Sequence, residues 1–344
     1  MTDQLQEFEK NVLVDPFKRQ ISYLRLSVTD RCDLRCTYCM PEKMTFLNKK
    51  EVLSFEEMYK LCSAFIHLGI KKIRITGGEP LVRKGIMDFF AMLKPHLSSH
   101  LEELTITTNG TQLHKYASQL YANGVRRINI SLDTLDPKKF KKITRIGNLQ
   151  DVLLGVQAAQ DANLKIKINC VALKNINDDE IDKFIDWCIK KGFDLTFIET
   201  MPMGDIGNET RLSHFLSLEE LKKSISSKFK LEDISFSSGG PAKYCKIEGS
   251  NIKLGFITPL SHNFCASCNR IRLDATGVLH QCLGQSNSLD FRKILRDQSY
   301  NKTVLLENIK KSIGQKPEKH SFAYDFSNEA VEGTMKRHMS LTGG

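Results

Sequence analysis

Up to about residue 204, the alternation of apolar and polar positions divides the chain into short strands, most of them followed by a helical pattern. Tyr23 to Val28 is apolar at alternate positions and rich in strand formers, which predicts a first strand. Ser54 to Leu68 predicts a helix, with Ser54 and Glu57 spaced as a capping box. Lys72 to Thr76 predicts a strand ending in Gly-Gly. Leu104 to Thr107 predicts another, followed by a helix over Leu113 to Ala122 and a stop at Gly124. Next come a strand over Arg127 to Ser131, a helix over Gln150 to Ala162 and a strand over Leu164 to Val171. A helix opened by Asn177 and reaching Lys190 precedes a sixth strand, Leu195 to Glu199. Six β/α units in a row predict an α/β fold with a parallel sheet, either open and doubly wound or a barrel, complete or partial. Polar or glycine residues end nearly every strand (Thr29 and Asp30, Gly77 and Gly78, Thr107 to Asn109, Ser131 and Asp133, Glu199 and Met201). Barrel enzymes build their sites on that rim, which favours the barrel.

Beyond Gly204 the rhythm breaks. Met203 to Leu212 reads as a polar loop, Leu218 to Phe229 as an amphipathic helix and Phe236 to Pro241 as a connector. The expected division is an N-terminal arm over 1–20, a barrel over 21–203 and a smaller C-terminal region over 204–344. Apolar content of 41% and charged content of 26% are those of a soluble globular protein. Met1 to Lys10 is too polar for a signal peptide, and no apolar run approaches the roughly 18 residues of a membrane span, so a cytoplasmic location is expected. The formal charge of +10 fits either a solvated basic surface, as at Lys138, Lys139, Lys141 and Lys142, or a phosphate-rich partner. Ten cysteines change the picture more. Cys32, Cys36 and Cys39 form one group and Cys265, Cys268 and Cys282 another. Cys62, Cys170, Cys188 and Cys245 stand alone, as small buried hydrophobes do.

The first group, C-x3-C-x2-C, follows the first predicted strand. Three thiolates on a [4Fe–4S] cube leave one iron open, able to chelate the amino and carboxylate groups of S-adenosylmethionine. A zinc site or structural cysteines are the alternative, although zinc usually takes four ligands and paired C-x2-C units. The second group, C-x2-C-x13-C, also supplies three ligands. It reads either as zinc completed by His262 or His280, or as a second cluster whose open iron binds substrate. Arg270 and Arg272 just beyond Cys268 would suit a phosphate or a purine edge. Arg25, Arg74 and Lys167 are cations within apolar strands, so they point out to solvent or inward to an anion.

Cys32 to Cys39 as C-x3-C-x-Y-C, together with Gly77-Gly78-Glu79-Pro80, resembles the radical S-adenosylmethionine superfamily. From about Leu13 to the end, the chain resembles the GTP 3′,8-cyclases of molybdenum cofactor biosynthesis. The markers include Tyr23 to Cys32, Arg74 to Pro80, Thr107 to Gly110, Asn129 to Asp133, Phe197 to Pro202, Phe264 to Arg272, Cys282 to Gly284 and the terminal Gly343-Gly344. The resemblance implies a partial (β/α)6 barrel of TIM type, with a C-terminal extension that brings a second cluster to face the first. It implies two [4Fe–4S] clusters, on Cys32, Cys36 and Cys39 and on Cys265, Cys268 and Cys282. S-adenosylmethionine would be held by Tyr38, Gly78, Ser131 and Met201. GTP would be held by Arg25, Arg74, Thr107, Lys167, Arg270, Ile271 and Arg272, with guanine on the open iron of the second cluster.

The implied chemistry is abstraction of the ribose 3′ hydrogen by a deoxyadenosyl radical and attack on C8, giving 3′,8-cyclo-7,8-dihydro-GTP, with no side chain as nucleophile or general base. The resemblance also implies an external one-electron donor, a next enzyme that consumes the product, a homodimer, and a Gly-Gly tail that enters the site. No nucleic acid or membrane partner is expected. Lys18-Arg19 stands where the family often has Gly-Arg, and Asp33 replaces a frequent Asn, neither at a ligand position. Two rivals remain: a radical enzyme acting on a peptide, and a zinc-stabilised RNA-binding protein.

Overall fold

A computed structural model describes residues 12–204, 213–262, 264–325, 330–332, 335 and 337–343. The predicted polar loop therefore falls mostly outside the described residues, as do Gly344 and most of the N-terminal arm. The β/α series runs β1 (Tyr23–Ser27), α1 (Phe55–His67), β2 (Lys72–Thr76), α2 (Ile86–Leu93), β3 (Glu103–Thr108), α3 (Leu113–Ala122) and β4 (Arg127–Ser131). It continues with α4 (Pro137–Thr144), α5 (Leu149–Asp161), β5 (Lys165–Val171), α6 (Ile181–Lys191) and β6 (Asp194–Ile198). The capping box forms as read: Ser54 accepts from the Glu57 amide while Glu57 accepts from the Ser54 amide. In α1, Met58, Leu61, Cys62 and Phe65 recur on one face and are fully buried against the sheet. Each large apolar side chain so placed contributes about 1.5–3 kcal/mol.

Two helices in this series, α2 and α4, were not expected from the sequence, and the lysines read as a solvated surface lie on α4. Asn177 does not open α6. A 3₁₀ turn, Asp178–Glu180, intervenes, and the buried Asn177 amide donates to the carbonyls of Asp133 and Val171.

The C-terminal region supplies α7 (Leu218–Ser226), β7 (Leu231–Ile234), β8 (Lys243–Ile247), β9 (Lys253–Ile257), β10 (Arg270–Leu273), β11 (Val278–His280) and β12 (Ser288–Asp290). After these come α8 (Phe291–Arg296), α9 (Lys302–Ile313), the hairpin β13 (Ala323–Asp325) and β14 (Ala330–Glu332), and α10 (Met339–Thr342). It is not a separate sheet. Strands β1 to β6 lie side by side and parallel, and the main sheet runs β12-β11-β10-β1-β2-β3-β4-β5-β6-β9-β8-β7. The C-terminal strands thus extend both edges of a partial barrel, β10 parallel to β1 and β9 parallel to β6. Register then decides what meets inside. Arg25 stands opposite Arg272 on one side and Arg74 on the other, while Asn129 lies between Thr107 and Lys167. The alternating Leu24 and Leu26 face the opposite way into the apolar core.

Candidate functional site

Two cavities open on the inner face and share Asn169, Ile198 and Met201 as a common wall. Each carries one complete cysteine group. The expected residues sort between them except for Thr107, expected with the GTP residues but lining the first cavity, and Ile271. Tyr38, Gly78, Thr107, Ser131 and Met201 line the cavity of Cys32, Cys36 and Cys39. Arg25, Arg74, Lys167, Arg270 and Arg272 line that of Cys265, Cys268 and Cys282. Ile271 lines neither; its side chain is in the apolar core.

The first cysteine loop is anchored by backbone bonds to the end of α4, from Arg35 to the Thr144 carbonyl at 3.0 Å and from Thr37 to that of Ile143 at 2.9 Å. The Gly78 amide donates to the Thr29 carbonyl at 2.7 Å and the Glu79 amide to that of Arg31 at 2.8 Å. This approach requires glycine at 78, since a Cβ there would fall 2.3 Å from the Arg31 carbonyl oxygen. Tyr38 donates to Asp133 Oδ2 at 2.7 Å, and Asp133 Oδ1 accepts from the Val171 amide at 2.8 Å. Burial still pushes Asp133 up to about 6, despite those two bonds. Burial likewise raises the thiols of Cys32 and Cys36, and pushes that of Cys39 up to about 12. Metal ligation there must displace protons. Buried Glu79 accepts from the Asn109 and Leu81 amides and from Thr108 Oγ1, tying the Gly-Gly loop to the end of β3.

The second cavity is dominated by positive charge. Five cations line it and, among the described residues, no carboxylate does. Arg25 and Lys167 are 8% and 7% exposed, so they point inward rather than to solvent. Burial, against the pull of Tyr23 and with repulsion from Arg74 and Arg270, lowers Arg25 to about 10. Burial, Arg74 and Arg127 depress Lys167 strongly, and burial with Arg25 and Arg270 does the same to Arg272. Burial pushes the Tyr23 phenol up, but Arg74, Arg25, Lys72 and Arg270 together bring it below its usual value. Partial compensation comes from neutral groups. Lys167 Nζ donates to the Tyr244 hydroxyl at 2.6 Å, and Asn129, with its amide oxygen toward Arg74, accepts from both terminal nitrogens at 3.0 Å. Burial raises the Cys268 thiol, yet Arg270 and Lys316 bring it down to about 7.

Both thiol sets fit iron–sulfur ligation. Each opens on a cavity, and the Thr107 hydroxyl beside the first has no hydrogen-bond partner among the described residues. His280 is engaged with Asp274 at 2.9 Å, and His262 lies outside both linings. Of the terminal glycines, Gly343 lies within the described residues and reaches the wall of the site. Gly343 accepts from Arg272 Nη1, a Cβ there would fall 2.0 Å from Thr76 Oγ1, and Met339 lines the first cavity. Sequence reasoning missed Tyr23, Asn169 and Tyr244. Asp133 was visible only as a polar rim residue and the end of a marker.

A family model for the Radical SAM superfamily matches residues 26–188, and one for Molybdenum Cofactor Synthesis C matches 193–322. Streptococcus suis SuiB bound to S-adenosylmethionine has a TM-score of 0.61 at 15% identity, over 88% of this chain and 71% of that one. SuiB bound to precursor peptide SuiA gives the same score and identity over 99% and 79%. These likenesses show the fold. The chain is 51% identical to the GTP 3′,8-cyclase of Paracoccus denitrificans over 96% of both chains. It is 52% identical to that of Rhizobium etli over 96% of this chain and 94% of the other, and 53% identical to that of Brucella canis over 96% of both. No helix among the described residues is long and apolar enough to cross a membrane. With sequence identity above one half across nearly the full length, and both cysteine groups on one inner face, this chain belongs to the GTP 3′,8-cyclase family of radical S-adenosylmethionine enzymes.

Proposed function

We propose that this enzyme converts GTP to 3′,8-cyclo-7,8-dihydro-GTP, the first step of molybdenum cofactor biosynthesis, and that the residues brought together on the inner face divide the work. Cys32, Cys36 and Cys39 hold the cluster that S-adenosylmethionine joins, and Cys265, Cys268 and Cys282 hold the second. When bound, the first cluster and S-adenosylmethionine supply a primary carbon radical that takes hydrogen from a ribose. Tyr38, Gly78, Ser131 and Met201 position S-adenosylmethionine, with Asp133 fixing the Tyr38 hydroxyl. Arg25, Arg74, Lys167, Arg270 and Arg272 bind the triphosphate and purine. Thr107 contributes from the neighbouring wall, and Ile271 through its backbone. The shared wall of Asn169, Ile198 and Met201 is where ribose and radical source meet, and apolar lining such as Phe264 and Phe322 excludes water.

The observation that carries this reading is the second cavity: five cations and, among the described residues, no carboxylate beside three cysteines, a setting that demands a polyanion. The rest of the proposal is an external one-electron donor, a following enzyme that consumes the product, a homodimer, a cytoplasmic location, and the division at residues 20 and 203. The test is an anaerobic assay of iron-reconstituted protein with dithionite, S-adenosylmethionine and GTP, read by mass spectrometry. A GTP isomer of unchanged mass, formed together with 5′-deoxyadenosine, is the expected result. Deoxyadenosine with GTP unaltered would refute the substrate assignment, and no deoxyadenosine from protein holding both clusters would refute the radical chemistry.

A further inference from the structure

Buried or half-buried cations from three remote segments hold the backbone around the second cysteine group. Arg19 Nη1 donates to the Cys265 carbonyl at 2.8 Å while its Nε pairs with Asp15. Arg337 donates to the carbonyls of Cys282 and Leu283. Lys316, just past α9 and 2% exposed, donates from Nζ to the Gln281 carbonyl at 2.6 Å. The same Nζ lies 3.7 Å from Cys268 Sγ, within sulfur hydrogen-bond range. Lys316 therefore differs from the two arginines: it touches a ligand sulfur and, through Gln281, the strand leading into Cys282. Among the described residues no carboxylate pairs with it, so one neutral carbonyl and one sulfur are its recorded acceptors. A buried ammonium in that state requires an anion nearby, and thiolates bound to iron supply one.

We propose that Lys316 is a positioning residue of the second cluster, donating N–H···S to Cys268 and joining the Cys268 and Cys282 segments around the metal. The inference rests on the assignment of Cys265, Cys268 and Cys282 as cluster ligands. Hydrogen bonds and positive charge at a ligand sulfur stabilise the more negative, reduced cluster and so raise its reduction potential. Lys316→Met keeps the length and apolar stem of the side chain and removes its donors.

The experiment uses the full chain in a Cys32→Ser, Cys36→Ser, Cys39→Ser background, where only the second cluster forms, with redox titration followed by electron paramagnetic resonance. Lys316→Met is expected to shift the reduction equilibrium roughly tenfold toward the oxidised form, about 59 mV more negative for a one-electron couple. Lys316→Arg, which keeps charge and donors, is expected to return most of the shift. An unchanged potential in Lys316→Met overturns the proposal. If that variant fails to load iron, Lys316→Leu, which also removes the donors, is titrated instead, and parental potential there also overturns it. Absence of iron and sulfide from the parent background refutes the ligand assignment, a different failure.

Discussion

Lys167→Met should raise the stability of the ligand-free protein and lower its response to GTP, two opposite signs from one substitution. The ammonium is 7% exposed, depressed by burial and by repulsion from Arg74 and Arg127, and its hydrogen-bond partner is the neutral Tyr244 hydroxyl. Removing a buried charge without a paired carboxylate relieves about 1–3 kcal/mol. Loss of the cation–π contact with the Tyr244 ring, 5.0 Å away, gives back about 0.5–2 kcal/mol. Tyr244 is not orphaned, since its hydroxyl keeps Ser238 Oγ at 2.8 Å. The net gain is about 1 kcal/mol, or roughly 2 °C in Tm for a chain of this size. If Lys167 binds phosphate, the lost charge-assisted bond costs about 1.5–3 kcal/mol, roughly 10- to 150-fold in Kd. At a GTP concentration 100 times the parental Kd, ligand stabilisation falls from about 2.7 to about 1.4 kcal/mol for a tenfold loss. Anaerobic thermal unfolding with and without GTP, with direct titration of nucleotide, measures both. A GTP-induced shift equal to the parent's would refute the placement of Lys167 against the ligand. A destabilised ligand-free variant would refute the view of its charge as uncompensated.

Three further outcomes follow from the same geometry. Arg270→Ala with Arg272→Ala removes two of the five cations and a contact to Gly343, so GTP binding should weaken at least tenfold while uncoupled cleavage of S-adenosylmethionine continues, measured as deoxyadenosine formed without product. Gly78→Ala drives a methyl into the Arg31 carbonyl and should cut reconstituted iron from about eight toward about four per chain, with the second cluster's spectroscopic signature retained. Burial pushes Glu79 up to about 8 despite bonds from Asn109, Leu81 and Thr108. The native state then keeps a proton that the unfolded state loses near pH 4.3, so stability should fall as pH rises from about 4.3 to about 8, by at most about 1.4 kcal/mol per unit. Denaturant unfolding of cluster-free protein at several pH values should show this slope, and Glu79→Gln should flatten it.

Local signals carried most of the first half of the fold. The Ser54 and Glu57 pair needed only a three-residue spacing to cap α1, and the all-buried strand β1 still showed its alternation because cations and polar groups face the cavity. Helix α2 was hidden because Ile-Met-Asp-Phe-Phe-Ala-Met-Leu has too little polarity to show a period, and Gly85 supplies no capping side chain. Helix α4 has the opposite fault: Phe140 and Ile143 are its only buried large apolar residues among lysines. The cysteine groups were legible because ligand spacing is itself local. Tyr244 and Lys316 were not, since their importance comes from contacts 77 and 48 residues away, to Lys167 and Cys268.

The same distinction explains why the cations could be named but not arranged. Arg25, Arg74 and Arg272 stand in one lateral row only because β10, far along the chain, pairs beside β1 in a register that sets Arg272 opposite Arg25. At the other edge β9 joins β6, and the buried Glu199 carboxylate accepts from the amides of Leu260 and Ser261 on the loop approaching Cys265. The second cysteine group is thus held to the barrel from both sides, by β10 pairing and by the Glu199 tether. A hydrogen transfer between two bound molecules tolerates little error in their separation. Pairing both edges of one sheet fixes that separation through backbone hydrogen bonds, and a hinged second domain would leave it to side-chain contacts across an interface.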